Sequence, residues 1–336
     1  MKLSIVIICW NDRKVICNCL KSIFEETREL DFEVIVSDNN SADGSIDEIK
    51  RDFPQVRIVS NGANLGFAKG NNAGIRVAQG EYVLILNPDT IIHDRALEKL
   101  VSFAAAHREA GAFGCRVLNP DGSFQNPARP LPSIFGYLLG TLWLRWLGRF
   151  SPMFASDLYP GWDGHTEREI GFQSGCCVLF RGDLLKQLGG FDERFFYHFE
   201  ESDLCLRVWK SGSSILFYPG AEITHLGGQS VGRFPIRFAL ETYRSGYRFF
   251  YKHYGGNGVR RIRRVYLLNL CTRWIGYKLL SLFKPSDALK NRVQMYNVAI
   301  RWNFHLDPLR FVQDGTEPNV GYEPLAPAPV MAPAAA

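Results

Sequence analysis

Tyr82-Val83-Leu84-Ile85-Leu86-Asn87-Pro88-Asp89-Thr90 is the run whose reading decides the fold. Tyr82 to Leu86 are apolar or aromatic without interruption, which predicts a strand covered on both faces. Pro88 has no N–H to give a ladder, so the strand ends at Asn87-Pro88. Asp89 then stands just past the strand's carboxyl end, where open α/β sheets bind ligands. Two readings of Asp89 stand side by side. Its carboxylate suits a hard cation such as Mg2+ or Mn2+. It also suits an Asp-Thr turn that caps a helix predicted near 94–106.

Upstream of this strand the chain alternates. Strands are predicted at Leu3–Cys9, Phe32–Ser37 and Val56–Ser60, and helices at Lys14–Glu26, Ile46–Asp52 and Phe67–Ala78. Strand–helix alternation of this kind is the signature of a doubly wound, mostly parallel sheet. No G-x-G-x-x-G follows the first strand, and G-x-x-x-x-G-K-[ST] is absent, so dinucleotide-dehydrogenase and P-loop readings lose their main support. What the sheet offers instead is Trp10, Asp38 and Asp89, each at the carboxyl end of a different strand. An indole can stack on a base, one aspartate can accept a base N–H, and the other can hold a metal on a diphosphate. The competing reading makes Trp10 core and Asp38 the start of an Asx-turn.

Downstream, Gly111–Val117 reads as a strand and Asn119-Pro-Asp-Gly-Ser123 as a reversal. Ile134–Leu147 is an apolar, aromatic run of helical character but too short to span a bilayer; it reads as an interfacial or acceptor-facing helix, or else as a buried one. Phe195 to Asp203 brings aromatics and His198 up to Glu200, Glu201 and Asp203. Clustered like charges in a partly buried site raise one another's pKa, which suits a general base. A charged helix start is the alternative, and Asp203 also stands four residues before Arg207, as a helical ion pair requires.

The ordered runs I-V-I-I-C-W-N, S-D-N-N-S-A-D-G-S, N-L-G-F-A-K-G-N-N-A-G and L-I-L-N-P-D-T resemble family 2 inverting glycosyltransferases over about residues 3–230, nearest the bacterial rhamnosyltransferase subgroup. The resemblance implies the GT-A fold, a nucleoside-diphosphate sugar donor and a divalent cation, Mg2+ or Mn2+. It implies that Asp89 ligates the metal and that His225, in Glu222-Ile-Thr-His225-Leu-Gly-Gly, is the second ligand. It matches Asp38 to the base-binding aspartate and Trp10 to the aromatic beside the base. Asn64, Gly66, Lys69 and Asn71 match the loop and helix start that meet sugar and phosphates. Asn11, Asn40 and Asn87, in the same strand-end loops, join the nucleotide-sugar set. F-F-x-x-x-E-D-x-D-L-C-x-R is matched by Phe195 to Arg207, with Glu201 where the family has its aspartate base; Glu200 is the reserve and Asp203 the third carboxylate. Gly227 to Ser230 is expected to close over the diphosphate. The subgroup implies dTDP-rhamnose as donor, with UDP-galactofuranose or UDP-GlcNAc as other options, and a saccharide or polyprenyl-linked saccharide as acceptor in cell-wall or surface polysaccharide synthesis. An inactive sugar-nucleotide-binding module is the rival from another class, and the carboxylate cluster argues against it.

The charge is uneven. The net charge is +5, with residues 1–225 holding 23 Lys+Arg against 28 Asp+Glu, while residues 226–310 hold 16 against three. Tyr243 to Tyr254 alternates aromatics with bases, and Arg260, Arg261, Arg263 and Arg264 precede an apolar stretch, 265–283. This pattern predicts either a basic amphipathic helical extension over 231–310 bound to an anionic membrane surface, or helices packed on the rest of the chain with solvated arginines. Nucleic acid is not an expected partner, because no recognition module is visible. The expected organisation is a catalytic domain over 1–230, with a nucleotide-sugar half to about 118 and an acceptor half from 119, then the extension, then a disordered Pro/Ala-rich tail over 311–336. Eight cysteines without metal-ligand spacing, no signal peptide and no apolar run of spanning length predict a cytoplasmic protein, peripheral on the inner face of the cytoplasmic membrane.

Overall fold

In the computed structural model the run Leu3–Cys9 forms β1, and α1 (Arg13–Glu26), β2 (Phe32–Asp38), α2 (Ser45–Asp52), β3 (Arg57–Ser60), α3 (Gly66–Val77) and β4 (Tyr82–Leu86) follow it. The structure describes residues 1–151, 154, 159–227 and 235–318. All five residues of β4 are buried, as an uninterrupted apolar run in a central strand requires. After it come β5 (Thr90–Ile92), α4 (Ala96–Ala106), β6 (Ala110–Leu118), β7 (Ala128–Arg129), α5 (Ile134–Thr141) and a 3-10 helix at Leu144–Arg149. Then come β8 (Arg168–Glu169), β9 (Phe172–Gln173), β10 (Cys177–Arg181), α6 (Gly182–Gln187), α7 (Glu200–Lys210) and β11 (Ser214–His225). The chain ends in α8 (Pro235–Phe283), α9 (Asp287–His305) and α10 (Pro308–Asp314).

The main sheet runs β3-β2-β1-β4-β10-β6-β11-β5, with β8 added against β11. Strands β3, β2, β1 and β4 are mutually parallel. Strand β10 runs antiparallel to both β4 and β6, so β6 and its parallel neighbour β11 point the same way as β1. The sheet is mixed but mostly parallel, and flanking helices bury its faces. β7 and β9 pair separately as a small ribbon.

Two features were not anticipated. The helix predicted near 94–106 spans Ala96–Ala106, after Asp94 (φ 43°) and Arg95 (φ 56°), and the reading of Asp89 as its cap does not hold. Thr90–Ile92 forms β5 in between, so Asp89 caps nothing and precedes a strand. Secondly, β11 is a single strand of 12 residues that carries His225 at its end. Its pairing with β6 slips between Tyr218 and Glu222, which leaves Pro219, Gly220 and Ala221 as a bulge. Pro219 has no N–H for the ladder, which is why the interruption falls there.

The chain divides into two compact units, Met1–Leu131 with Asp157–Gly227, and Pro132–Ser156 with Gly228–Ala336. The first holds the sheet. Its core is β1, β2 and β4 with Ile16, Leu20 and Ile23 of α1 and Leu97 and Leu100 of α4. Six of the eight cysteines, Cys9, Cys19, Cys115, Cys176, Cys177 and Cys205, are buried here. Burial pushes the Cys9 thiol up to about 11 and those of Cys19 and Cys205 to about 12.

The second unit is helical. Residues 132–156, expected within an acceptor half over 119–230, group with the C-terminal helices. Tyr137 of α5 packs its ring edge-on against Phe250 and Tyr266 of α8, at 6.0 and 5.7 Å. The run 134–147 is not one helix: α5 stops at Thr141 and Trp143 takes a left-handed φ of 54°. α8 is broken at Gly255 (φ 64°, ψ −166°). The tail starts later than 311, because Asp307 caps α10 through the N–H groups of Leu309 and Arg310 and Phe311 is buried. Of the tail expected over 311–336, residues 319–336 lie outside the described residues.

Candidate active site

β2, β1 and β4 lie side by side in the sheet, and Cys9 pairs with Asp38 at their carboxyl ends. Trp10 and Asn11 of the first loop, Asp38 to Asn40 of the second, and Asn87 to Asp89 of the third therefore share one ledge. Local hydrogen bonds fix its loops. Asp38 Oδ1 accepts the Ser41 N–H at 2.9 Å, and Ser41 Oγ accepts the Asn11 N–H at 3.0 Å. Asn11 (φ 58°) and Asn40 (φ 65°) both use the left-handed region that asparagine tolerates. Asn11 Oδ1 in turn takes the Ala42 N–H at 2.8 Å.

The start of α3 is held to the same edge. Asn39 Nδ2 donates to Asn64 Oδ1 and to the Gly66 carbonyl, both at 3.2 Å, and Asn64 Oδ1 also accepts the Gly66 N–H. Gly66 has φ +80°, and a Cβ there would lie 2.6 Å from the Phe196 carbonyl oxygen, so only glycine fits. Lys69 is exposed. Asn71 is fully buried, with Nδ2 donating to Phe67 O at 3.0 Å and Oδ1 lacking a protein partner.

The register of β11 against β5 puts His225 opposite Thr90. That brings His225 Nε2 to 3.3 Å from Asp89 Oδ1 and 3.3 Å from Asn87 Nδ2. The other ring nitrogen, Nδ1, lies 2.7 Å from Gln125 Oε1. Gln125 Nε2 donates to His225 O and to Asn119 Oδ1, so its oxygen must face the ring. Nδ1 is then protonated, and Nε2 is the ring nitrogen that faces Asp89, free to give a lone pair to a cation bound between them. A metal-ligating histidine is commonly held by such a hydrogen bond on its far nitrogen. Among the described residues no set of three or more His, Cys, Asp or Glu side chains is grouped to hold a metal. An aspartate with one oriented imidazole does fit Mg2+ or Mn2+, cations that take their remaining ligands from water and a substrate's phosphates.

The third component is α7. Its N-terminus follows two non-glycine residues in the left-handed region, His198 (φ 65°) and Phe199 (φ 68°), a costly local conformation found where the surroundings demand it. Glu201 is half-buried, and its Oε1 accepts the Gly175 N–H at 3.1 Å. Glu200 is only 2% exposed and its Oε2 has no protein partner. Desolvation raises the pKa of both carboxyls above the usual glutamate range, and the neighbouring Glu201 raises Glu200 further. Asp203 plays a different part: it is fully buried and pairs with Arg207 Nε at 2.9 Å, while Arg207 donates to the carbonyls of Leu188 and Gly190. Burial pushes the Tyr197 phenol up, and the charges of Glu200, Glu201 and Asp89 add to the shift.

The sequence drew no attention to Gln125, Gly175 or Tyr197. Gln125 reads as an extended residue after a hairpin, and only its pairing across the fold gives it a partner. The loop expected over the diphosphate, 227–230, lies outside the described residues from 228 onward.

Comparison with known proteins matches residues 4–189 to the family "Glycosyl transferase family 2". An N-acetylglucosaminyl-diphospho-decaprenol L-rhamnosyltransferase of Mycobacterium tuberculosis is 32% identical over 245 residues, 68% of this chain and 77% of that protein. Among solved structures, a mannosyltransferase from Pyrobaculum calidifontis in complex with GDP-Man and Mn2+ aligns with a TM-score of 0.53 at 16% identity, covering 94% of this chain and 88% of that one. GalNAc-T7 with UDP, GalNAc and Mn2+ aligns with a TM-score of 0.54 at 15% identity, covering 76% of this chain and 49% of that one. The last two establish the fold, which is GT-A.

Proposed function

The chain belongs to glycosyl transferase family 2 and is an inverting glycosyltransferase, and from that premise we propose that it is a metal-dependent rhamnosyltransferase. Its donor is dTDP-rhamnose and its acceptor a saccharide or polyprenyl-linked saccharide of cell-wall or surface polysaccharide synthesis. The observation that carries this reading is the approach of His225 Nε2 to Asp89 Oδ1 at 3.3 Å, at the carboxyl-terminal edge of the sheet. The rhamnose assignment draws on the mycobacterial relative and is the finer part of the proposal.

Asp38 accepts from the donor's base and Trp10 stacks beside it. The amino-terminal turn of α3 and the loop through Asn64 and Gly66 meet the diphosphate and sugar, where unpaired N–H groups favour anions. Asp89 and His225 would hold Mg2+ or Mn2+, whose charge would offset the negative charge that builds on the leaving diphosphate. Glu201 takes the proton from the acceptor hydroxyl. That oxygen bonds to the anomeric carbon from the face opposite the diphosphate, and the bond to the diphosphate breaks. One displacement inverts the configuration. Glu200 is buried and its pKa is raised by burial and by Glu201, so it holds a proton more readily than an ordinary glutamate beside the base.

The second partner is an anionic membrane surface at the inner face of the cytoplasmic membrane. The charge supports it: residues 226–310 carry 16 bases against three acids.

The test is nucleotide release from a donor panel of dTDP-rhamnose, UDP-galactofuranose and UDP-GlcNAc, with Mn2+, Mg2+ or a chelator. Chelator-sensitive turnover of dTDP-rhamnose is the expected result. Turnover of a uridine donor alone would overturn the sugar assignment. Turnover indifferent to chelation would overturn the metal assignment, and tight binding without turnover would identify an inactive module.

A further inference from the structure

Large apolar side chains are exposed almost entirely in the helical unit. Met1 is the sole exposed large apolar residue among those described in the sheet-bearing unit; the others include Trp143 (57% exposed), Trp146, Phe150 (70%), Ile275, Leu279, Leu282 and Phe283 (83%), all in the helical one. Two segments far apart in sequence supply them, and the structure joins these. Asn269 of α8 donates to Thr141 Oγ1 at 3.2 Å, and one turn further on the Arg273 guanidinium lies over the Trp143 ring at 5.8 Å. Along α8, Arg261, Arg264, Leu268, Ile275, Leu279 and Leu282 recur at three-, four- and seven-residue intervals, which puts them on one stripe of the helix. All six are exposed. The stripe is cationic at its start and apolar toward its end.

The charge around this face has one sign. No acidic residue occurs from Thr242 to Ser286, nor from Pro132 to Ser151. Arg149 stacks over Trp146 and Phe150 at 5.3 and 4.7 Å, and Lys278 over Trp274 at 4.6 Å. The nearby acids in the sequence are already engaged: Glu241 with Arg244, and Asp287 with Lys290. A second copy of the chain would bring the same cations against these with no carboxylate to answer them. An anionic surface answers all of them, and tryptophan with arginine on an exposed apolar face suits the headgroup boundary of a bilayer.

We propose that the helical unit docks on an anionic phospholipid bilayer through a single face, made by the 142–150 turn and the carboxyl-terminal stretch of α8. This rests on the membrane reading above and specifies the surface that carries it. It also removes Arg263 from the lipid-facing set, because its Nη2 donates to the carbonyls of Asn303 and Phe304 at 3.1 Å and so ties α8 to the end of α9.

The test is sedimentation of the full chain with vesicles of phosphatidylcholine alone or with about one-third phosphatidylglycerol, across a salt series. Wild type should partition onto the anionic vesicles and release as salt rises. Trp143→Ser/Trp146→Ser/Phe150→Ser, three exposed positions, should lose at least about tenfold in partitioning with an unchanged melting temperature and dTDP affinity. Arg261→Gln/Arg264→Gln should weaken binding and flatten its salt dependence, while Arg263→Gln should lower the melting temperature instead. If wild type ignores anionic vesicles, the membrane reading fails and this inference with it. If wild type binds and the aromatic variant binds equally, this face is wrong and the membrane reading stands. If wild type is a dimer by light scattering and the aromatic variant a monomer, with no partitioning by either, the face belongs to a second copy and the proposal is overturned.

Discussion

Nδ1 of His225 lies 2.7 Å from Oε1 of Gln125, and this one contact determines what the other side of the imidazole can do. With Nδ1 donating to Gln125, Nε2 is the nitrogen turned to Asp89 and the one that would ligate a cation there. Gln125→Leu removes the acceptor and lets the ring rotate or change tautomer. We expect it to weaken Mn2+ binding by about 10- to 100-fold, the usual cost of losing such a support. Calorimetric titration of Mn2+ into the protein with nucleoside diphosphate measures this without turnover. Gln125→Glu, which still accepts from Nδ1, should keep most of the affinity. Equal Mn2+ affinity in Gln125→Leu and wild type would show that the ring needs no such support.

Asp89→Asn should abolish metal-dependent turnover and leave the fold standing. The residue is 7% exposed and follows a fully buried strand, but its carboxylate caps no helix. Circular dichroism melting and turnover, measured on one preparation, separate the two effects. Full turnover in this variant would remove Asp89 from the metal site.

Glu201→Gln should lower kcat by roughly 10²–10⁴, the usual contribution of a general base, with donor affinity kept. Its raised pKa also predicts an acid limb in kcat/KM above the ordinary glutamate range of about 4.3, because the base works only when ionised. Near-normal turnover in Glu201→Gln with a collapse in Glu200→Gln would move the base to Glu200.

Glu200→Gln should raise thermal stability at neutral pH. Burial and the charge of Glu201 raise the folded-state pKa of Glu200 above its unfolded value, so the folded chain holds its proton more tightly. Stability from this group is therefore present below the unfolded pKa and is lost as pH climbs toward the folded one. The amide escapes that loss. The gain in Tm should be present at pH 7 and should vanish near pH 4, in a melting series run across that range. A gain that is the same at both pH values would mean that ionisation is not its source.

The strands were legible because buried parallel strands read as unbroken apolar runs, and their ends because Trp10, Asp38 and Asn87-Pro88 interrupt those runs. The ledge at the ends of β2, β1 and β4 follows from that alternation alone. Other features depend on pairings between distant segments, which local pattern does not carry. The bulge at Pro219 to Ala221 sets which residue of β11 meets Thr90. Gln125 gains its role only when a hairpin turns it toward a strand a hundred residues away. Ile134–Leu147 looked like one apolar helix, and its break at Trp143 and its packing on α8 required the rest of the helical unit. Arg263 looked like its basic neighbours, yet the end of α9 claims it.

The buried cysteines make this chain its own reporter of opening. Alkylating reagents attack the thiolate, and all six buried thiols belong to the sheet-bearing unit. Their modification in native buffer therefore times the opening of that unit alone. Cys17 on α1 and Cys271 on α8, both partly exposed, accept a tag first and mark one position in each unit. Mass spectrometry of tagged peptides would then rank sub-global openings of the sheet against global unfolding, with no cysteine engineered in.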